Sequence, residues 1–192
     1  KPTQLFGDMW LEGELAILFA DTGAGKSLLA VQIAESIARA RAIYPFPRPV
    51  GRRQKVLYFD FELTDKQFEM RYAPEPDAEG AAMLRDHYRF SDEVFRIQVN
   101  MQAEVPNGHA SFEEFLLCSI ERLVCERGVR AVIIDNITYL KRGSESMRGA
   151  VTLMQQLKRL KAEYGISILV LAHTPKRDTT RPITANNLQG SK

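Results

Sequence analysis

An apolar run, residues 14–20, leads straight into Asp21-Thr-Gly-Ala-Gly-Lys-Ser27, and a stretch apolar on most sides follows from Lys26 to about Arg41. A buried strand, a glycine loop and a helix start in that order predict a cradle for phosphate. Gly23 and Gly25 let the backbone curl so that successive N–H groups point inward at an anion. The helix opening near Lys26 adds the positive end of its dipole. The expected ligand is ATP with Mg²⁺: the loop and helix start from Thr22, Gly23, Ala24 and Gly25 through Lys26, Ser27 and Leu28 surround the phosphates. Lys26 reaches the β- and γ-phosphates, and the Ser27 hydroxyl ligates the metal. Such loops usually begin with glycine, and Ala20 stands at that position.

Further strands and helices alternate along the chain. Lys55–Phe61 reads as a buried strand, and Thr64 with Gln67 forms a capping box opening a helix towards Tyr72. Residues 73–93 are Pro- and acid-rich and then weakly helical. Val94–Val99 is a strand, and Ser111 with Glu114 opens a helix whose buried face runs through Phe112, Phe115, Leu116, Ser119 and Leu123. Val129–Ile134 is an apolar strand ending in Asp135. Met147, Val151, Met154, Leu157, Leu160 and Tyr164 recur at helical spacing until Gly165 stops them, and Ile166–Ala172 is the last strand. This alternation predicts an α/β fold, a mainly parallel sheet with helices on both faces.

The 192 residues suit one such domain, and the expectation is a single domain over 1–192 cut from a longer protein. No apolar run is long enough to span a bilayer, and no signal-peptide pattern opens the chain. Cys118 and Cys125 lie seven apart on one expected helix, reading as buried free thiols in a reducing cytoplasm. The net charge of +2 hides an asymmetry: residues 141–192 carry 10 of the 26 basic side chains and only 3 of the 24 acidic ones. A basic tail of that kind is either a solvated surface or a face for phosphates.

Three more polar groups end strands. Asp135 closes its strand at the carboxyl edge of the sheet, where open α/β folds bind ligands, and there it can hold Mg²⁺ through water beside Ser27. Glu62 follows the second strand and can polarise the water that attacks the γ-phosphate; helix-dipole stabilisation is the plainer reason for an acid there. Asp60 competes for this role but alternates to the other side of the strand. His173 leaves the end of the last strand, as a γ-phosphate sensor or as a residue bonded to a neighbour. His87 and His109 carry no expected role, and no Cys/His cluster has zinc spacing.

The order P-loop, Glu62, Asp135, His173 resembles that of RecA-like ATPases. Phe61-Glu-Leu-Thr-Asp-Lys-Gln-Phe-Glu-Met-Arg71 is similar to the corresponding segment of DnaB-type replicative helicases, as is Arg181-Pro-Ile-Thr-Ala-Asn-Asn-Leu-Gln-Gly-Ser191 to the segment leading into their DNA-facing loop. His173 followed by Thr174 resembles the RepA-type plasmid helicase ATPases and their mobile-element relatives. The resemblance implies a RecA-like, homo-oligomeric motor, hexameric in the helicases, with ATP between subunits and single-stranded DNA as partner. It also implies an arginine or lysine finger from a neighbour, for which Lys176 and Arg177 are the nearby candidates. Lys176, Arg177 and Arg181 are the expected DNA contacts. The alternatives are an ATP-dependent switch of KaiC-like type and, less well matched, a small-molecule kinase on a P-loop scaffold.

Overall fold

The computed structural model describes residues 3–46, 51–72, 88–100, 104–105, 107–138, 147–174 and 184, with the side chains of 147–151 outside that description. A short hairpin, β1 (Gln4–Phe6) and β2 (Trp10–Leu11), precedes β3 (Leu15–Ala20) and α1 (Lys26–Arg39). Then come β4 (Val56–Asp60), α2 (Asp65–Tyr72), β5 (Val94–Gln98), α3 (Phe112–Arg127), β6 (Ala131–Asp135), α4 (Met147–Tyr164) and β7 (Ser167–His173). β3 to β7 form one five-stranded sheet in the order β3-β7-β6-β4-β5. All four pairings are parallel.

Strand alternation assigns the two faces. Leu57, Phe59, Val132, Ile134, Ile168 and Val170 bury themselves under α3 and α4. Their neighbours Val56, Tyr58, Ala131, Ile133, Leu169 and Leu171 pack under α1 and the hairpin, where Leu5, Phe6 and Trp10 join the core. Because both faces are covered, these strands read as continuous apolar runs rather than alternating ones. The hairpin has too few residues to show periodicity, and the sequence reading passes over it.

Local signals account for most helix ends. Thr64 and Gln67 bond reciprocally, Gln67 N to Thr64 Oγ1 at 3.3 Å and Thr64 N to Gln67 Oε1 at 3.0 Å, as a capping box requires. At α3, Glu114 N donates to Ser111 Oγ, but the Glu114 carboxylate reaches past Ser111 to accept from Ala110 N. Gly128 and Gly165 take left-handed conformations after α3 and α4. α1 stops at Arg39, two residues before the expected end, because Ala40 turns left-handed and donates back to Ile37 O.

The thiol expectation needs correction. Cys118 and Cys125 are free but exposed. The buried stripe of α3 is Leu116, Ser119, Ile120 and Val124, with Phe112, Phe115 and Leu123 half-buried; a seven-residue spacing put both thiols on the opposite side. On α4, Leu153, Leu157 and Leu160 are buried, and Met154 and Tyr164 pack at the margin.

Candidate nucleotide site

Parallel strands with crossover helices all run the same way, so their carboxyl ends share one edge. The register sets Ala20 beside His173 and Asp60 beside Asp135. Four segments therefore deliver Lys26, Glu62, Asp135 and His173 to a common site, the gathering that the strand-end reading predicts.

The loop after β3 is built for N–H groups to face an anion. Gly23 and Gly25 sit at φ +80° and +82°, where a side chain is strained, and Gly25 caps α1 without a side-chain bond. The first N–H of the helix to reach back is that of Leu29, to Gly25 O. The N–H groups of Lys26, Ser27 and Leu28 thus precede the intrahelical ladder. Thr22, Ala24 and Leu28 have exposed side chains, so their part in a cradle is played by the main chain.

Lys26 is buried, 7% exposed, and its ammonium donates to Ala20 O at 3.0 Å and Asp21 O at 2.9 Å. Burial lowers its pKa, opposed by the carboxylates of Glu62, Asp135 and Asp21. The lysine that should grip phosphate is folded onto its own loop, and a phosphate can replace those carbonyls. The loop is also tied to the end of β7, through the Thr174 hydroxyl on Asp21 and through Thr174 N on Ala20 O.

Asp135 is 2% exposed. Its Oδ2 accepts from the Tyr58 hydroxyl at 2.6 Å, while its Oδ1 is buried without a donor in hydrogen-bond geometry among the described residues. Burial pushes the carboxyl up to about 6, with the Tyr58 and Ser27 hydroxyls nearby pulling it back. A buried carboxylate with one unpaired oxygen beside a serine hydroxyl fits Mg²⁺, directly or through water. Bound there, the ion would neutralise charge on the phosphates.

Glu62 and Asp60 part company. Asp60 Oδ1 accepts from the N–H groups of Glu62 and Leu63, and Oδ2 pairs with Arg96 at 2.9 Å. Arg96 lies over the Phe68 ring and also pairs with Asp65. Both oxygens of Asp60 are thus spent on shaping the turn that presents Glu62. Glu62 is only part-buried, and its Oε1 accepts from Asn136 Nδ2 at 2.8 Å and lies 3.1 Å from His173 Nε2. Asn136 is fully buried and its Oδ1 accepts from Thr138 N; Thr138 Oγ1 in turn accepts from His173 N.

Asn136, Tyr58 and Arg96 escaped the sequence reading. Asn136 directly follows Asp135, and the strand-end argument applied one residue further would have found it. Tyr58 brings a hydroxyl into an otherwise apolar face, which must find a partner when buried. Lys176, Arg177 and Arg181 lie outside the described residues, as does His87. His109 packs edge-on against Phe115.

A parallel sheet whose first strand runs through a glycine loop into a helix, with acidic groups at the ends of neighbouring strands, defines a P-loop nucleotide-binding ATPase. The profile described as an AAA domain matches residues 1–179, and the chain belongs to that family. A comparison with curated proteins returned no match. Among the described residues no helix is long and apolar enough to cross a membrane.

Proposed function

We propose that this ATPase domain is a RecA-like motor of the DnaB/RepA type, hydrolysing ATP in a cytoplasmic homo-oligomer to act on single-stranded DNA. In this reading Thr22 to Leu28 hold the phosphates, Lys26 neutralises them, and Ser27 and Asp135 hold Mg²⁺. Glu62 takes the proton of the attacking water, and His173 senses the γ-phosphate. The observation that carries the hydrolytic part is the Glu62 carboxylate, held by Asn136 and His173 while Asp60 is fully committed elsewhere. A positioned base must be held within reach of its proton yet keep acceptor capacity, and Glu62 Oε2 has it.

The DNA part rests on the likeness of residues 61–71 and 181–191 to helicase segments, and on the basic excess of residues 141–192. Cations on a segment beyond the sensor would couple loss of the γ-phosphate to a grip on the sugar–phosphate backbone. A neighbouring subunit would supply the finger, which is worth roughly 10³–10⁵ in rate. The deciding experiment is ATP turnover with and without single-stranded DNA, repeated after charge reversal at Lys176, Arg177 and Arg181. Stimulation that disappears on reversal is expected. Turnover indifferent to DNA would instead favour an ATP-dependent switch.

A further inference from the structure

The opposite edge of the sheet, where β4, β5 and β6 begin, carries a second concentration of charge. A cavity of about 570 Å³ opens there, lined by Arg39, Arg41, Arg52, Arg53, Lys55 and Arg130, with Glu93 the one acid among the described residues of its wall. A neighbouring cavity of about 340 Å³ shares Arg39 and Arg41 and adds Arg89 and Tyr88. The two adjoin around the end of α1, with Arg39 and Arg41 in both walls. Arg39 is paired with Glu35 at 2.7 Å, and Arg130 donates to Tyr164 O. Arg41, Arg52, Arg53 and Lys55 have no acidic partner among the described residues.

Neutralising helix ends is the plainer explanation, since α1 and α3 both finish here and a cation favours a helix C-terminus. The backbone already fills part of that role. Ala40 N and Gln54 N donate to Ile37 O, Arg41 N donates to Ser36 O in the last turn of α1, and Gly128 N donates to Val124 O of α3. Among the described lining residues the cations outnumber the acids, Glu93 and the Arg39-paired Glu35, so part of their mutual repulsion is left uncompensated. A cluster of this kind is stabilised by an anion from outside.

We propose that this amino-edge groove is a binding track for the phosphodiester backbone of single-stranded nucleic acid, remote from the ATP site. The charges are spread over two adjoining cavities rather than converging on one point, which suits a chain of phosphates better than a small anion. Tyr88, half exposed beside the cations, offers a ring on which a base can stack. Sequence-blind backbone contacts with an aromatic alongside are the usual means of holding single strands. The proposal rests on the nucleic-acid reading above but not on the tail cations, and it adds a second grip at the far edge of the domain.

The test is binding of a fluorescein-labelled oligothymidylate to the unaltered protein and to Arg52→Glu/Arg53→Glu. The control is Lys158→Glu/Arg159→Glu, which makes the same charge change on the exposed side of α4. The groove variant should bind at least about tenfold more weakly at low salt, with a salt slope shallower by about 1.4 for two lost phosphate contacts. Its ATP affinity should be unchanged, which also reports an intact fold, and the control should bind like the unaltered protein. Groove and control variants weakened equally would overturn the proposal. So would displacement of the oligonucleotide by polyglutamate as readily as by unlabelled strand, which would point to an acidic protein partner. If the unaltered protein binds DNA and the groove variant binds equally well, the groove is wrong and the DNA motor stands. If the unaltered protein binds no DNA, both fall.

Discussion

Glu62 Oε1 lies 3.1 Å from His173 Nε2, so the ends of β4 and β7 touch although β6 runs between them in the sheet. Asn136, which follows β6, bonds the same oxygen at 2.8 Å. The proposed base and the proposed sensor are thus one hydrogen-bonded unit before any nucleotide arrives, and a shift of either must be felt by the other.

Glu62→Gln should keep ATP affinity and lose turnover by about 10²-fold or more, because the amide holds the shape but cannot take a proton. Asn136→Ala should lower kcat with little change in KM, since its Nδ2 bonds Glu62 while its Oδ1 bonds the backbone N–H of Thr138. Nucleotide binding and steady-state turnover, measured on both variants, check this. An Asp60→Asn protein that folds normally yet is catalytically dead, with Glu62→Gln nearly normal, would reverse the assignment.

Asp60 and Arg96 should instead matter to stability. Their side chains are 3% and 14% exposed, and removing one member of such a pair leaves the other charge partly buried and unpaired. Arg96→Ala also removes the stack on Phe68 and the bond to Leu63 O. A loss of about 3 kcal/mol is expected, read from urea denaturation. A change below about 0.5 kcal/mol would show the pair to be incidental.

Lys26→Ala should sharply reduce ATP affinity and hydrolysis with the fold intact. Among the described residues Lys26 hydrogen-bonds to loop carbonyls alone, and its burial as an ion is unfavourable. Thermal denaturation should therefore change little without nucleotide, while the stabilisation that ATP confers on the unaltered protein should vanish. Turnover near normal in the folded variant would refute the phosphate cradle.

Asp135 sets a pH dependence in the metal-free protein. Its carboxyl rises from 3.8 to about 6 on folding, so the folded chain holds this proton more tightly than the unfolded chain does. Stability from this group is full below 3.8 and is lost as pH climbs through 6. The loss is on the order of 3 kcal/mol. Asp135→Asn stays neutral, so in EDTA it should melt above the unaltered protein at pH 8, with the advantage shrinking towards pH 4. The same change should weaken ATP–Mg²⁺ binding. An Asp135→Asn protein no more stable at pH 8 would show that the buried oxygen carries no penalty.

Turnover by this chain should also rise with protein concentration if a neighbour supplies the finger. A plot of specific activity against concentration tests this. A flat line at high activity would place all catalytic groups within one copy.

Much of this was legible in the residues alone because it depends on short-range rules. Gly23 and Gly25 are needed where φ is positive, apolar runs mark strands covered on both faces, and Thr64 with Gln67 marks a helix start whatever lies around them. The parallel alternation then forces strand ends to one edge, and that is why Lys26, Glu62, Asp135 and His173 could be picked out although they are scattered along most of the chain. Which of them touch was not legible. Sequence order says nothing of the sheet order β3-β7-β6-β4-β5, and only that order sets β7 between the phosphate loop and Asp135. The commitment of Asp60 to Arg96, the Tyr58 bond to Asp135 and the meeting of Glu62, Asn136 and His173 are contacts over 36 to 111 residues of chain. The choice of which side of α3 faces the sheet was made the same way, and it left Cys118 and Cys125 in solvent. Local geometry is set by each residue's own stereochemistry and hydrogen bonds, whereas partner choice is set by which faces close against each other when the whole core is buried.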